Sequence, residues 1–190
     1  LNDCGLVGIC YWENGIRSLT TRNTPIKEPV DLTNLRIRVM QNPIYISFFS
    51  SLGASPTPMA WGEVIPALKS GVIDAQENPI PIVFLYNLDE YQKYLILTEH
   101  TFNSHIVLGG SALRKKLTPA EIDLIYSAFR AARIRQRSLI NEQTVNFLKL
   151  LQNRGMKIIK PDIKEFQRIG REFSKKALTG FSPELRSYFE

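Results

Sequence analysis

The sequence predicts an α/β fold on a mostly parallel sheet, with one long helix and a C-terminal helical tail. Three observations predict it. Leu35 to Pro79 alternates strand and helix patterns, with turn residues at regular places. A second helical signal starts at Thr118 and runs unbroken to Gly155. Hydrophobic residues make up 44% of the 190, which is enough for a packed core and too many for a disordered chain.

Residues 4–12 read as a buried strand through Leu6, Ile9 and Trp12. Glu13-Asn14-Gly15 is a turn signal, after which Ile16 to Leu19 resumes as extended chain. Thr20 to Asp31 reads as a polar loop with Pro25 and Pro29. Leu35 to Met40 is rich in strand formers and ends at Gln41-Asn42-Pro43. A helix follows through Tyr45 to Phe49 and stops at Gly53. Ser55 to Met59 is extended, Gly62 to Ser70 is helical and Gly71 ends it. Val72 to Gln76 is the next strand, ending at Glu77-Asn78-Pro79. Tyr86 to Tyr94 has a helical pattern. Leu95 to Thr98 is a short strand, and His105 to Gly110 a separate buried one.

Thr118-Pro119-Ala120-Glu121 combines a threonine cap, a proline at the first helical position and a glutamate that closes a capping box. Apolar residues recur from Ile122 to Leu151. The pattern predicts about 36 helical residues, about 54 Å at 1.5 Å per residue. That exceeds the width of a domain of this size, so the helix spans two lobes or reaches into a partner. Met156 to Ile159 is a short strand, Asp162 caps a helix carrying Phe166 and Phe173, and Ser182-Pro183-Glu184 starts a final turn.

Net charge is +6, which favours anionic partners, yet the cations are spread along helix faces as on an ordinary basic surface. No basic stripe with interleaved aromatics indicates nucleic acid. No apolar run approaches the roughly 20 residues of a membrane span. Cys4 and Cys10, if on one strand, stand about 20 Å apart, too far for a disulfide without a turn between them. Two buried free thiols are expected. His100 and His105 fall on opposite strand faces, and no pattern completes a metal site. No nucleophile triad, phosphate loop or carboxylate pair points to an enzyme or a cofactor.

Arg38, Trp61 and Asn78 fall at or just past the carboxyl ends of successive strands, where open α/β sheets bind ligands. A guanidinium, an indole and an amide on one rim suit a small organic anion, because arginine grips a carboxylate with two parallel hydrogen bonds. Spacing alone favours the plainer reading of Arg36 and Arg38 as solvated strand residues. Arg17 alone reads as a surface arginine, Asn78 as a turn residue and Trp61 as core or a stacking wall. Glu77 could pair with an arginine rather than touch ligand.

These same segments resemble a known family. Asp31 to Val39 (DLTNLRIRV), Gly53 to Val64 (GASPTPMAWGEV), Ala67 to Pro79 (ALKSGVIDAQENP) and Tyr11 to Arg17 (YWENGIR) are similar to stretches of the DctP-type solute-binding proteins of tripartite ATP-independent periplasmic (TRAP) transporters. The resemblance implies a periplasmic-binding-protein-like, type II-like lobe and a non-enzymatic receptor that closes on a small organic acid. It implies a periplasmic location, TRAP membrane subunits as partners and no cofactor. Arg38 takes the carboxylate-gripping position, Arg17 the second cleft arginine, Trp61 the aromatic wall and Asn78 the ligand amide, with Gln41 and Asn42 lining the cleft. The bulk of Trp61 suggests a flat or aromatic acid. The expected division is residues 1–12 as a crossover strand and 13–103 as the ligand-gripping second lobe. Residues 104–190 form a partial first lobe with the long helix 118–154 and the C-terminal helices. The family's first third, signal peptide included, is expected to be absent from this chain. An alternative is a ligand-incompetent fragment that persists as an oligomer through the long helix, helix-swapped or not.

Overall fold

The computed structural model describes residues 4–187; residues 1–3 and 188–190, the outer ends of the expected crossover strand and C-terminal segment, lie outside the described residues. Six strands form one sheet in the order β3-β2-β4-β1-β5-β6. They are β1 (Val7–Thr21), β2 (Arg36–Val39), β3 (Ser55–Pro58), β4 (Ala75–Pro79), β5 (Tyr94–Gly109) and β6 (Lys157–Ile159). Three of the five neighbouring pairs are parallel; β1 makes both antiparallel ones, with β4 and β5. The mostly parallel α/β sheet is as expected.

Among the described residues seven α-helices accompany it: α1 (Pro43–Ser51), α2 (Trp61–Ser70), α3 (Ile80–Leu85), α4 (Ala112–Lys116), α5 (Pro119–Asn153), α6 (Ile163–Ala177) and α7 (Pro183–Arg186). Adjacent β5 residues show how they layer. Ile96 packs with Ile37, Phe49 and Phe166, under α1 and α6. Leu95 packs with Val64, Val83 and Leu151, under α2, α3 and the end of α5. Successive strand side chains point to opposite faces, so the sheet carries a core on each side.

Several local readings change. β1 is one strand, not two: the expected turn at Glu13 to Gly15 is a bulge, where Glu13 faces Ser104 and Gly15 faces Asn103. Gly15 takes φ +118°, which a side chain resists, and that is what lets the bulge form without ending the strand. Thr20 and Thr21 belong to β1 rather than to the polar loop. The β4 strand begins at Ala75, not Val72, and includes Glu77 and Asn78. The helix expected over Tyr86 to Tyr94 is α3, six residues earlier, followed by a 3-10 turn at Leu88–Glu90. The strand ends expected near residues 95–98 and 105–110 are the two ends of one strand, β5. Its outer half and that of β1 form a half-exposed ribbon rather than fully buried strands. Both cysteines are free, but Cys4 is exposed and Cys10 half-buried.

The long helix is as the capping signals require. The Thr118 hydroxyl accepts from the Glu121 amide at 3.4 Å, and the Glu121 carboxylate accepts from the Thr118 amide at 2.8 Å. α5 runs along the ribbon first: Gln136 trades two hydrogen bonds with the Glu13 backbone, and the Tyr126 hydroxyl donates to the Gly8 carbonyl at 3.0 Å. It then reaches the body of the molecule, where Phe147 stacks on Phe84 and Leu151 is fully buried. Asp162 caps α6 by accepting from Lys164 N at 3.1 Å.

The expected boundary at residue 103 does not follow the packing. β6 pairs with β5 at Tyr94 to Ile96, and Phe166 of α6 sits in the same core as Ile37 and Ile96. Residues 157–177 therefore complete the sheet of residues 13–103. The physical reason is the reach of α5, whose 35 residues carry the chain about 52 Å from the ribbon back to the sheet. Phe166→Ala is expected to destabilise the whole unit by about 3–5 kcal/mol, as for a buried phenylalanine. The check is the midpoint of a urea melt followed at Trp61. A loss confined to a small non-cooperative phase refutes the shared core.

Candidate functional site

The site begins with two charged groups taken out of water. Arg17 on β1 is 1% exposed, and Glu77 on β4 is fully buried. β1 and β4 run antiparallel with Arg17 opposite Pro79, which brings the guanidinium over Glu77 and Asn78. Nε of Arg17 bonds Glu77 Oε2, and Nη2 donates to Glu77 Oε1 at 2.8 Å, to the Glu77 carbonyl at 2.6 Å and to Asn78 Oδ1 at 3.1 Å. A solvated-arginine reading of Arg17 is overturned, and the pairing raised for Glu77 is its actual arrangement.

His100 completes this frame, and sequence reasoning did not assign it a role. Its Nε2 lies 3.2 Å from Glu77 Oε2, and its Nδ1 is 2.8 Å from the Thr98 hydroxyl. It gets there through an irregularity. Between the pairs Leu19–Ile96 and Arg17–Thr101, one residue of β1 faces four of β5. Glu99 in that bulge takes φ +47°, in the left-handed region. The Phe48 ring stacks on the imidazole at 6.2 Å. The Arg17 guanidinium lies over the Tyr45 ring, 5.8 Å from its centre. No local pattern marks these aromatic partners, since a bulge and a helix bring them in from distant segments.

Burial pushes the Glu77 carboxyl up, but hydrogen bonds from His100 and Arg17, with the charge of Arg17, outweigh it and hold the group below the usual carboxylate range. An ionised carboxylate only accepts, so the Nε2 of His100 donates to it.

A polar chain runs on from there. Asn78 Nδ2 donates to Gln76 Oε1 at 2.6 Å, Gln76 Nε2 to the Thr20 hydroxyl at 2.7 Å, and Thr20 to Gln92 Oε1 at 3.1 Å. Asn78 is therefore a fixed, buried amide, not a free turn residue.

Arg38 is different. It is 5% exposed, registered against Gln76, and donates from Nε and Nη2 to a single carbonyl, Met59 O, at 3.2 and 2.9 Å. Its guanidinium lies 5.6 Å from the centre of the Trp61 ring, which meets Tyr86 edge-on at 4.8 Å. Burial pulls its pKa down, Glu77 pulls it up and Arg17 pushes it down. Among the described residues it has no acidic hydrogen-bond partner. The exposed arginine of this strand is Arg36, which pairs with Asp74 by two 2.7 Å bonds.

Of the six expected residues, the structure joins Arg17 directly to Asn78 and Arg38 to Trp61, with Arg17 and Arg38 close enough to repel. Asn42 uses its Oδ1 to cap α1 through Ile44 N at 2.9 Å, and Gln41 is exposed beside it. A cleft of about 700 Å³ opens alongside, between α1, β5 and α6; its walls include Tyr45, Phe48 and His100 but not Arg38, Trp61 or Asn78.

The depressed Glu77 pKa fixes a pH dependence. The unfolded chain takes up this proton near pH ~4.3, the folded chain only at lower pH. The stabilisation is thus complete above that value and lost as pH falls through the folded pKa. Melting temperatures from pH 3 to pH 7 are expected to fall more steeply for the native chain than for Glu77→Gln below about pH 4.3. Parallel curves refute the assignment.

Comparison with known proteins places the chain in a family. The family model for bacterial extracellular solute-binding proteins, family 7 (DctP) matches residues 1–179. The 2,3-diketo-L-gulonate-binding periplasmic protein YiaO of Escherichia coli is 36% identical over 155 residues, covering 82% of this chain and 47% of that protein. A TRAP periplasmic solute-binding protein from Xanthobacter autotrophicus Py2, solved with bound β-D-galacturonate, superposes with a TM-score of 0.90 at 31% identity, covering 98% of this chain and 63% of that one. One from Roseobacter denitrificans OCh 114, with bound L-galactonate, gives 0.85 at 32% identity, covering 97% and 60%. The chain thus spans about half the length of the curated relatives it matches. With the match extending over nearly all of its residues, this chain belongs to the DctP family of bacterial extracellular solute-binding proteins.

Proposed function

We propose that this chain is the acid-gripping portion of a periplasmic TRAP solute receptor, and that it captures a small organic acid without chemically altering it. One observation carries the reading. Arg17 already has its carboxylate in Glu77, whereas Arg38 is buried, faces Trp61 and has only one carbonyl as partner. A ligand carboxylate is the group that completes Arg38 with charge-assisted hydrogen bonds. Asn78, locked by Arg17 and Gln76, sets the amide beside it.

The relatives narrow the acid. Diketogulonate, galacturonate and galactonate, as named for those proteins, are hydroxylated monocarboxylates. The same class is proposed here, with Trp61 as the wall against the carbon chain in place of a flat or aromatic acid. Closure on the acid shifts a population toward a closed form, which docks on TRAP membrane subunits. Gln41 and Asn42 line the mouth of the site.

A second reading rests on exposed apolar surface. Tyr11, Ile16 and Phe102 on the ribbon and Leu124 and Ile134 on α5 are each more than half exposed. Such a surface favours association through the ribbon and α5. Light scattering is expected to give a mass above 21.7 kDa; a monomer at all concentrations removes this reading.

Calorimetric titration with galacturonate and galactonate is expected to give binding that the uncharged sugar galactose lacks. Arg38→Ala is expected to lower affinity by about 2–5 kcal/mol, the range for a buried charge pair that loses one member. Unchanged affinity in Arg38→Ala would falsify the carboxylate clamp.

A further inference from the structure

The outer strands of the sheet and the two sides of the ribbon leave strand edges open, and all but one of these edges are guarded. β3 is one outer strand, and two of its four residues are prolines, Pro56 and Pro58, which have no amide to offer. β6 is the other; it is only three residues long, with Lys157 at its start and Lys160 and Pro161 just after it. The ribbon adds two sides, because β4 pairs with β1 only from Arg17 onward and β6 pairs with β5 only at Tyr94 to Ile96. On the β1 side α5 supplies cover: Gln136 bonds both backbone groups of Glu13, and Tyr126 reaches the Gly8 carbonyl.

Residues 102–108 of β5 have no such guard. The stretch Phe-Asn-Ser-His-Ile-Val-Leu contains no proline and no lysine, arginine, aspartate or glutamate. Among the described residues no hydrogen bond from beyond β1 reaches its backbone. Phe102, Ser104, Ile106 and Leu108 alternate onto one face, and all four are exposed. Tyr11 and Ile16, opposite Ile106 and Phe102 on β1, continue that face and are each more than half exposed.

An apolar strand edge without guards is a template for another strand, and this one suits a copy of itself. Laid antiparallel against itself about His105, the stretch sets Phe102 opposite Leu108 of a second copy and Ser104 opposite Ile106, with the exposed residues of both copies on one face. No charged residue falls opposite another, so the net charge of +6 puts no like charges along this seam. The outer side of α5 differs: Arg130, Arg135 and Arg137 stand exposed there, and two copies meeting on it bring like charges together. We propose that two copies of this chain pair antiparallel along residues 102–108 of β5. The two ribbons then form one four-stranded sheet, β1-β5-β5-β1, about a two-fold axis at His105. This rests on the reading that the chain associates through exposed apolar surface, and it names the strand, the register and the partner.

Sedimentation equilibrium of the full chain is expected to give twice 21.7 kDa. Two double variants at exposed positions test the register. Ser104→Lys/Ile106→Lys sets lysine against lysine at both crossings, whereas Ser104→Lys/Ile106→Glu sets lysine against glutamate. The first is expected to have a dimer Kd about tenfold or more above that of the second, with both retaining the native circular dichroism spectrum. Leu124→Glu/Ile134→Glu on α5 is expected to leave the dimer intact. Dissociation in that helix variant, with both strand variants still dimeric, overturns the strand pairing while association through apolar surface stands. Equal Kd values for the two strand variants overturn the register and the proposal with it. A native chain that is monomeric at all concentrations removes both the proposal and the reading beneath it.

Discussion

The buried pair of Arg17 and Glu77 is the constraint on which the rest of the structure depends. Two full charges without water are tolerable only when nearly every polar atom has a partner. The arrangement here supplies them from three strands. β1 gives the arginine, β4 gives the carboxylate, its own carbonyl and Asn78, and β5 gives His100. A register slip of one residue between any two strands would turn one of these groups to the wrong face. The pair therefore fixes how the three central strands align. It also decides which arginine is available: Arg17 is satisfied within the protein, and Arg38 is not.

Around that centre the sheet is closed from both sides by segments far apart in sequence. α1 and α6 cover one face; α2, α3 and the end of α5 cover the other. The unit that carries the site is therefore not a continuous stretch of chain. It draws its final strand and one covering helix from residues beyond the long helix, which leaves the sheet for the ribbon and returns to it.

The legible portions of the fold are those with local causes. Leu35 to Pro79 was readable because strand and helix periods alternate there between Gly, Pro and Asn stops. The starts of α5 and α6 were readable because Thr118 and Asp162 are capping residues in the right positions. α3 was not, because it is only six residues long and its prolines mark no helix by themselves, although proline suits the first turn. The continuity of β1 and β5 was hidden by Gly15 and by a bulge at residues 97–100, features that mark turns in sequence and are resolved only by the partner strand. The site follows the same division. The rim positions of Arg38, Trp61 and Asn78 were visible from the strand ends, and the resemblance raised Arg17. The burial of Arg38 was not visible, because alternation alone gave it the same face as the exposed Arg36. His100 was missed because its pairing with Glu77 comes from a four-residue loop-out of one strand.

That loop-out also has a mechanical meaning. β1 and β5 continue well past the other strands, so bending or twisting between ribbon and sheet must pass through their shared stretch near Arg17 and Thr101. A regular ladder is interrupted there, where four residues face one. The same four residues end at His100, which touches the carboxylate that orients Arg17. The place where the ribbon leaves the sheet and the charged frame are thus one piece of structure, as a hasp and its pin are.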